Sequence, residues 1–352
     1  MRKNVNGPIR KQARPTIRDV AELAEVALGT VSRVINGHAN VGADVQAKVR
    51  RAISELGYQP NSAAQSMRTQ ATRMVACVVP DIQNPLYAAV LGAAEAAFSE
   101  AGYALLVAGT AWSTERELSL VETLGRRRVD GVIAVTTDER NPALQAAYAA
   151  LQAPLVLVER EMPIPLAGIV VTDQARSLRD ATAMLLDLGH RRIALMAPPI
   201  HNRSGRERIT GYRAAFAERG LAVNERLLFD EAAAAGTAQQ VTRALLARRQ
   251  APTAIITAGD RSLGGVLRAL REAGRRIPQD ISVVSWGDGD LPQLMDPPIT
   301  AIRYDAGEIG AQAARLLLTA LEGGALAPGS RRRLLMAELV MRGSCAAPLT
   351  SS

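Results

Sequence analysis

The sequence predicts an α/β chain, with two lobes of doubly wound parallel sheet behind an N-terminal all-α head built on a helix-turn-helix. Three observations predict it. In the first sixty positions, apolar residues recur at helical spacing in three short runs. From residue 73 onward, short apolar runs alternate with longer helix-periodic stretches. That alternation comes in two rounds, before and after about residue 172.

Residues 1–15 show no periodicity and are expected to form a disordered basic tail. The head follows over 16–60. Thr16 can cap a first helix with Asp19 three positions on, and Ile17, Val20, Ala21 and Ala24 share one face. A second helix is expected over about 28–36, with Val31, Val34 and Ile35 inward and Asn36-Gly37 as the stop. A third is expected over 43–56, carrying Val45, Val49, Ile53 and Leu56 and closed by Gly57. Residues 61–72 form a hinge linker with little apolar face. The body spans 73–343, with strand-like runs at 74–79, 104–108, 131–135, 154–158, 192–196, 254–257, 281–285 and 332–341. Helix-like stretches between them imply crossover connections and parallel strands. Lobe 1 is expected over about 73–172 and 300–331, lobe 2 over about 173–299 and 332–343, with a tail at 344–352. Such lobes place ligand groups at the carboxyl ends of their strands.

Composition narrows the partners. A chain of 352 residues that is 48% hydrophobic supports two or three cores. No apolar run is long enough to span a bilayer, and the basic N-terminus lacks the apolar stretch of a secretory signal, so a cytoplasmic protein is expected. Cys77 and Cys345 lie far apart and His38, His190 and His201 are scattered, so no metal site or cofactor is expected. The net charge is +8, yet residues 1–73 hold twelve basic and five acidic groups, a net of +7. A basic terminal module beside a near-neutral body suggests an anionic polymer as that module's partner. A membrane surface fits less well, because no apolar stripe accompanies the charge.

The stretch TIRDVAELAEVALGTVSRVINGHANVGADVQAKVRRAISELGYQPNSAAQSMRT resembles the lactose-repressor (LacI) family of transcription regulators. The resemblance continues through VVPDIQNPLYAAVLGAAEAAFSEAGYALL, RRRVDGVIAV, LGHRRIALM and RERITGYRAAF to DISVVSWGDGDLPQLMDPPITAIRYDAGEIGAQAARLLL, covering about residues 15–343. It implies a periplasmic-binding-protein-like body that holds a small-molecule effector between its lobes. It also implies a homodimer on a pseudo-palindromic DNA operator, most simply as a repressor. The second helix should enter the major groove, with Thr30, Ser32, Arg33 and Asn36 as its polar residues. By resemblance, Leu28, Gly29 and Arg33 stand at base-reading positions, and Thr16, Tyr58 and Asn61 at phosphate contacts. In the linker, Met67 matches a side chain that wedges a minor-groove step, and Ala64 a small residue beside it.

For the cleft, the resemblance implies Arg208, Leu86, Tyr87 and Glu159 as effector contacts. Arg208 suits a sugar hydroxyl pair or a carboxylate. Asp260 has two open readings, helix cap or ligand contact, and Trp286 has two, stacking platform or core aromatic. Asp288 stands one position after the place where relatives carry an effector-binding Asp, which here is Gly287. Other departures are Glu25 for a turn Gly, Ala27 and Gly42 for hydroxyl caps, and Gly259 for a common Asn. They leave the effector and the operator sequence open.

A periplasmic-type solute-binding protein would fit the lobes, but the head and the absent signal speak against it. An enzyme is not expected: PDIQNPLY follows the first strand where a phosphate-binding glycine loop would stand, and no nucleophile–base pairing is visible. The segment after residue 341 is too short for a tetramerising coiled coil, so dimers are expected.

Overall fold

The computed structural model describes residues 15–35, 40–59, 71–230, 234–324 and 328–349. Outside these lie nearly all of the expected tail and hinge linker, and with them Asn36, Asn61, Ala64 and Met67. The chain divides into two compact units, 1–72 and 73–352.

The first unit is a three-helix head: α1 (Ile17–Leu23), α2 (Leu28–Ile35) and α3 (Ala43–Leu56). Thr16 opens α1 with a capping box, its hydroxyl accepting from Asp19 N–H while the Asp19 carboxylate accepts from Thr16 N–H. Those bonds hold the Asp19 carboxyl below its usual range, the backbone bond of Thr16 contributing most. The turn into α2 passes through Glu25 at φ 55°, the left-handed conformation a glycine would adopt freely. Gly42 caps α3 without a side-chain bond, and Gly57 closes it at φ 59°. Val20, Ala24, Val31, Val49 and Ala52 form the core, with Tyr58 packed on its rim. Each buried valine contributes about 1.5–3 kcal/mol.

The second unit carries two six-stranded sheets. The first contains β1 (Met74–Val79), β2 (Ala104–Gly109), β3 (Gly131–Ala134), β4 (Leu155–Val158), β5 (Gly168–Thr172) and β11 (Arg332–Leu335), in the order β11-β5-β4-β3-β1-β2. The second contains β6 (Ile193–Met196), β7 (Leu228–Phe229), β8 (Ala254–Ile256), β9 (Ser282–Trp286), β10 (Thr300–Arg303) and β12 (Glu338–Val340), in the order β12-β10-β9-β8-β6-β7. Every pairing is parallel except β10 with β12. Both faces are covered, so alternate residues of one strand enter different cores. Val75, Cys77 and Val79 enter one, Ala76 and Val78 the other.

Helices α4 (Pro85–Glu100), α5 (Thr114–Arg127), α6 (Pro142–Ala149) and α12 (Ala306–Leu321) belong to lobe 1. Helices α7 (Gln174–Asp187), α8 (Arg203–Ala217), α9 (Ala235–Leu246), α10 (Asp260–Glu272) and α11 (Asp290–Leu294) belong to lobe 2. Some helices pack backbone to backbone: Gly211 of α8 faces the Ala175 carbonyl of α7, and Gly310 of α12 the Val90 carbonyl of α4.

Two expectations need correction. The single strand expected over 332–341 is two strands, broken at Met336-Ala337, one in each sheet. Residues 300–303, assigned to lobe 1, pair with β9 and belong to lobe 2. The chain therefore crosses between lobes near 173, 304–305 and 336–337. Strands β5, β7 and β10 were not among the runs expected from the sequence.

Candidate functional site

On the head, the burial of α2 sorts its residues. Val31 is buried, whereas Gly29 and Arg33 are exposed and Leu28 is 46% exposed. Thr30 and Ser32 are half-buried. Leu28, Gly29, Ser32 and Arg33 thus share the side of the helix that its own core leaves uncovered. A Cβ on Gly29 would meet nothing within 4 Å, so this face has room at its centre. The Thr16 hydroxyl also donates to the Asp19 carboxylate at 2.9 Å, so any phosphate contact there shares the group with the cap.

In the body, a cavity of about 80 Å³ lies between the lobes at the carboxyl ends of their strands. Leu86, Tyr87, Glu159, Arg208, Asp260 and Trp286 all line it. Each has a local reason to be there. Leu86 and Tyr87 open α4, whose cap Asn84 accepts from Leu86 N–H. Glu159 follows β4 at φ 55°, a left-handed kink. Its carboxylate accepts from Thr172 N–H at 2.9 Å and from the Gln174 amide at 2.5 Å. Arg208 projects from the first half of α8. It donates to Gln174 Oε1 at 2.6 Å and to the Ala258 carbonyl at 2.7 Å, and its guanidinium lies 3.8 Å from the centre of the Trp286 ring. Burial lowers the Arg208 pKa to about 10 against the pull of Tyr304, Glu159 and Tyr87; the group stays charged at neutral pH. Trp286 is both a packed core aromatic and the platform on which that arginine stacks, 5.7 Å from Tyr304.

The two readings of Asp260 separate here. Gly259 caps α10 with no side-chain bond, and Asp260 Oδ1 is buried without a hydrogen-bond partner. Burial raises the Asp260 pKa, and the neighbouring Asp288 and Asp290 carboxylates raise it further. Gly287, at φ 98°, stands against this carboxylate.

Asp288 does not join the cleft. Its carboxylate is clamped by Arg303 at 2.7 Å and by Arg342 at 2.6 Å, from β10 and the chain after β12. Burial disfavours that charge, but the two arginines outweigh it and hold the Asp288 carboxyl below its usual range. Residues not anticipated from the sequence complete the wall, among them Arg160, Thr172, Gln174, Ser204 and Tyr304. Arg160, Gln174 and Tyr304 each sit one or two residues beyond a strand's carboxyl end, the positional signal that marks ligand groups in such sheets. Ion pairs join the lobes, among them Asp81 with Arg261, Glu139 with Arg206, and Arg203 with Glu159 and Glu161.

Among the described residues, no cluster of His, Cys, Asp or Glu could hold a metal ion, and no helix is long and apolar enough to cross a membrane.

Comparison with known proteins agrees with this architecture. The family model for bacterial regulatory proteins of the lacI family matches residues 16–61, and one for a periplasmic binding protein-like domain matches residues 182–345. The HTH-type transcriptional regulator CelR of Thermobifida fusca is 35% identical over 347 residues, 95% of this chain and 99% of that protein. The ribose operon repressor of Escherichia coli (strain K12) is 32% identical over 304 residues, 86% of this chain and 92% of that one. Among solved structures, a lac repressor dimer bound to operator and the anti-inducer ONPF aligns with TM-score 0.82 and 27% identity, over 95% of this chain and all of that one. A CelR–cellobiose complex aligns with TM-score 0.70 and 33% identity, over 94% of this chain and all of that one.

Proposed function

The chain belongs to the lacI family of bacterial regulatory proteins, which are DNA-binding transcription regulators, and on that premise we propose that it is a cytoplasmic, homodimeric repressor controlled by a small polar effector. The observation that carries the DNA half is the uncovered side of α2, where Arg33 stands exposed beside Leu28, Gly29 and Ser32. An arginine fork there bridges guanine O6 and N7, while a glycine lets the backbone approach the bases. Thr16, Thr30, Asn36, Tyr58 and Asn61 serve as contacts to phosphates or base edges. Met67 wedges a minor-groove step beside Ala64.

A dimer is supported by the edge of the first sheet. Among the described residues no strand pairs with the outer side of β2, and Leu106 and Val107 are 38% and 49% exposed. An apolar edge strand left open invites another chain; a second copy covers it and brings two heads to a pseudo-palindrome. The effector half is supported by the polar cleft of Arg208, Glu159, Gln174 and Asp260. Effector binding alters the angle between lobes and so biases how two hinge segments meet on DNA, a coupling of typically about 1–3 kcal/mol. The test is selection of bound duplexes from a random pool by the full-length chain. The expected product is a two-fold pseudo-palindrome; enrichment of no sequence, or of a lone half-site, would overturn the reading.

A further inference from the structure

Trp112 is the one exposed aromatic residue among those described, at 40%, and it lines the cleft cavity. Its indole makes no hydrogen bond and no ring contact with another described residue. The other tryptophan, Trp286, is 3% exposed, and its face lies under the Arg208 guanidinium. The exposed aromatic face of the cleft therefore belongs to Trp112.

The backbone holds that face in place. Trp112 lies in the turn between β2 and α5, where Ala111 and Trp112 stand at φ 51° and 61°. Among the described residues they are the only two consecutive non-glycine residues in the left-handed conformation. Glycine serves such a turn without strain, and strain of this kind gathers at ligand sites. Both ends of the turn are tied. Thr110 is fully buried; its N–H donates to the Val79 carbonyl at 3.0 Å, and its hydroxyl bonds that of Thr137 at 3.1 Å. Ser113 caps α5, accepting from Arg116 N–H at 3.2 Å. A platform fixed before the ligand arrives loses little freedom on binding.

Trp112 stands beyond the carboxyl end of β2, which ends the sheet order, and Glu159 beyond that of β4. Three strand spacings of about 4.8 Å separate those strands, roughly 14 Å of sheet. Leu86 and Tyr87 line the cavity after β1, which lies between them. One end of this span holds buried hydrogen-bonding groups, Arg208, Glu159 and Gln174, together with Asp260, whose Oδ1 has no donor. The other end is an apolar face with an indole N–H. A sugar ring has the same two aspects, hydroxyls around its rim and C–H bonds on its faces. One ring is shorter than the span, and two linked rings match it.

We propose that the effector is a carbohydrate of two sugar rings. The first is held by Arg208, Glu159 and Asp260 at the buried end of the cleft. The second lays its C–H face on Trp112, whose indole N–H donates to a ring hydroxyl. Trp112 is then the residue that separates disaccharides from single sugars. This inference rests on the regulator reading above and names the ligand class of the same cleft.

The experiment titrates the full-length chain with cellobiose, maltose, lactose and melibiose, and with glucose and galactose, by calorimetry and by intrinsic fluorescence. At least one disaccharide is expected to bind and to shift tryptophan emission to the blue as Trp112 is covered. Its component monosaccharides should bind at least roughly tenfold more weakly, as for the loss of one stacked ring. Trp112→Ala should bring the disaccharide down to the monosaccharide level and leave the monosaccharide unchanged. Trp112→Phe, which keeps a ring, should retain most of the affinity and lose the emission shift. A monosaccharide that binds as tightly as every disaccharide overturns the proposal, as does disaccharide binding untouched by Trp112→Ala or without an emission shift. Silence from all four disaccharides overturns it too. So does a Trp112→Ala chain that sediments as a smaller species than the wild type, which would assign the indole to an interface between copies. A chain that selects a palindromic duplex yet fails these titrations leaves the regulator standing and removes only the ligand class. A chain that selects no duplex counts against the regulator reading whatever the titrations give.

Discussion

Substituting Gly211→Ala tests how the cleft is built. Gly211 lies where α8 crosses α7, and an added Cβ would collide with the Ala175 carbonyl oxygen. It would also stand 2.8 Å from the Ala175 carbonyl carbon and 3.0 Å from Arg179 N, inside the 3.4 Å at which ordinary contact begins. The obstacle is backbone, so no side chain can swing aside. Clearing the carbonyl carbon alone takes about 0.6 Å, the gap between 2.8 and 3.4 Å, and the nearer carbonyl oxygen demands a larger separation of the two helices. Overpacking of this kind costs typically about 1–3 kcal/mol, and a rigid backbone contact belongs at the upper end. Against it, replacing a helical glycine with alanine contributes about 1 kcal/mol. The net loss is about 2 kcal/mol, or roughly 4–8 °C in Tm for a unit of this size.

Function should follow, because Gln174 begins α7 and Arg208 lies on α8. Their 2.6 Å bond spans the same crossing, so separation loosens the arginine. Scanning calorimetry of the full chain measures the first effect and effector titration the second. Gly236→Ala is the control, since a Cβ there meets nothing within 4 Å; it should be neutral or stabilising. If Gly211→Ala melts with the wild type, or if the control falls as far, the close-packing argument is wrong.

Four further outcomes are expected. Glu25→Gly removes a left-handed non-glycine residue and should stabilise the head by about 1 kcal/mol; slower amide exchange in α1 and α2 would show it, and unchanged exchange would count against strain. The Asp288 carboxyl titrates below its ordinary 3.8, so its stabilisation is whole above that pH and drains as pH falls through the lowered value. Asp288→Asn should therefore lower Tm at neutral pH by an amount that vanishes in acid, and a pH-independent loss would contradict the arginine clamp. Asp260 has the opposite sign: its raised pKa means that stability is lost as pH rises through it, so Asp260→Asn should raise the neutral-pH Tm of the ligand-free chain while weakening effector binding. Met67→Gly should weaken binding to the selected duplex and reduce its bending, measured by gel shift with circularly permuted probes; wild-type bending in the variant would dispose of the wedge.

Much of the fold was legible in local pattern. Helical spacing marked the three head helices, and the apolar runs at 74–79 and 254–257 marked buried parallel strands because both faces of those sheets are covered. Thr16 and Asp19 announced their cap for the same reason: the interaction closes within one helical turn. Arg208, Tyr87 and Trp286 were placed in the cleft from motif and strand position. The four-residue β10 and the break that sends β11 and β12 to different sheets were not legible, since the strands they pair with lie far away in sequence.

The departure of Asp288 from the cleft depends on Arg303 and Arg342, fifteen and fifty-four positions later. The standing of Arg160 was likewise invisible. Sequence by itself determined that a basic helical head precedes a two-lobed body, because periodicity and charge are sums over neighbours along the chain. Only the tertiary structure decided which buried charges find partners, because compensation is settled by distance in space: it clamped Asp288 between Arg303 and Arg342, away from the cleft, and buried Arg160 and Arg208 within it.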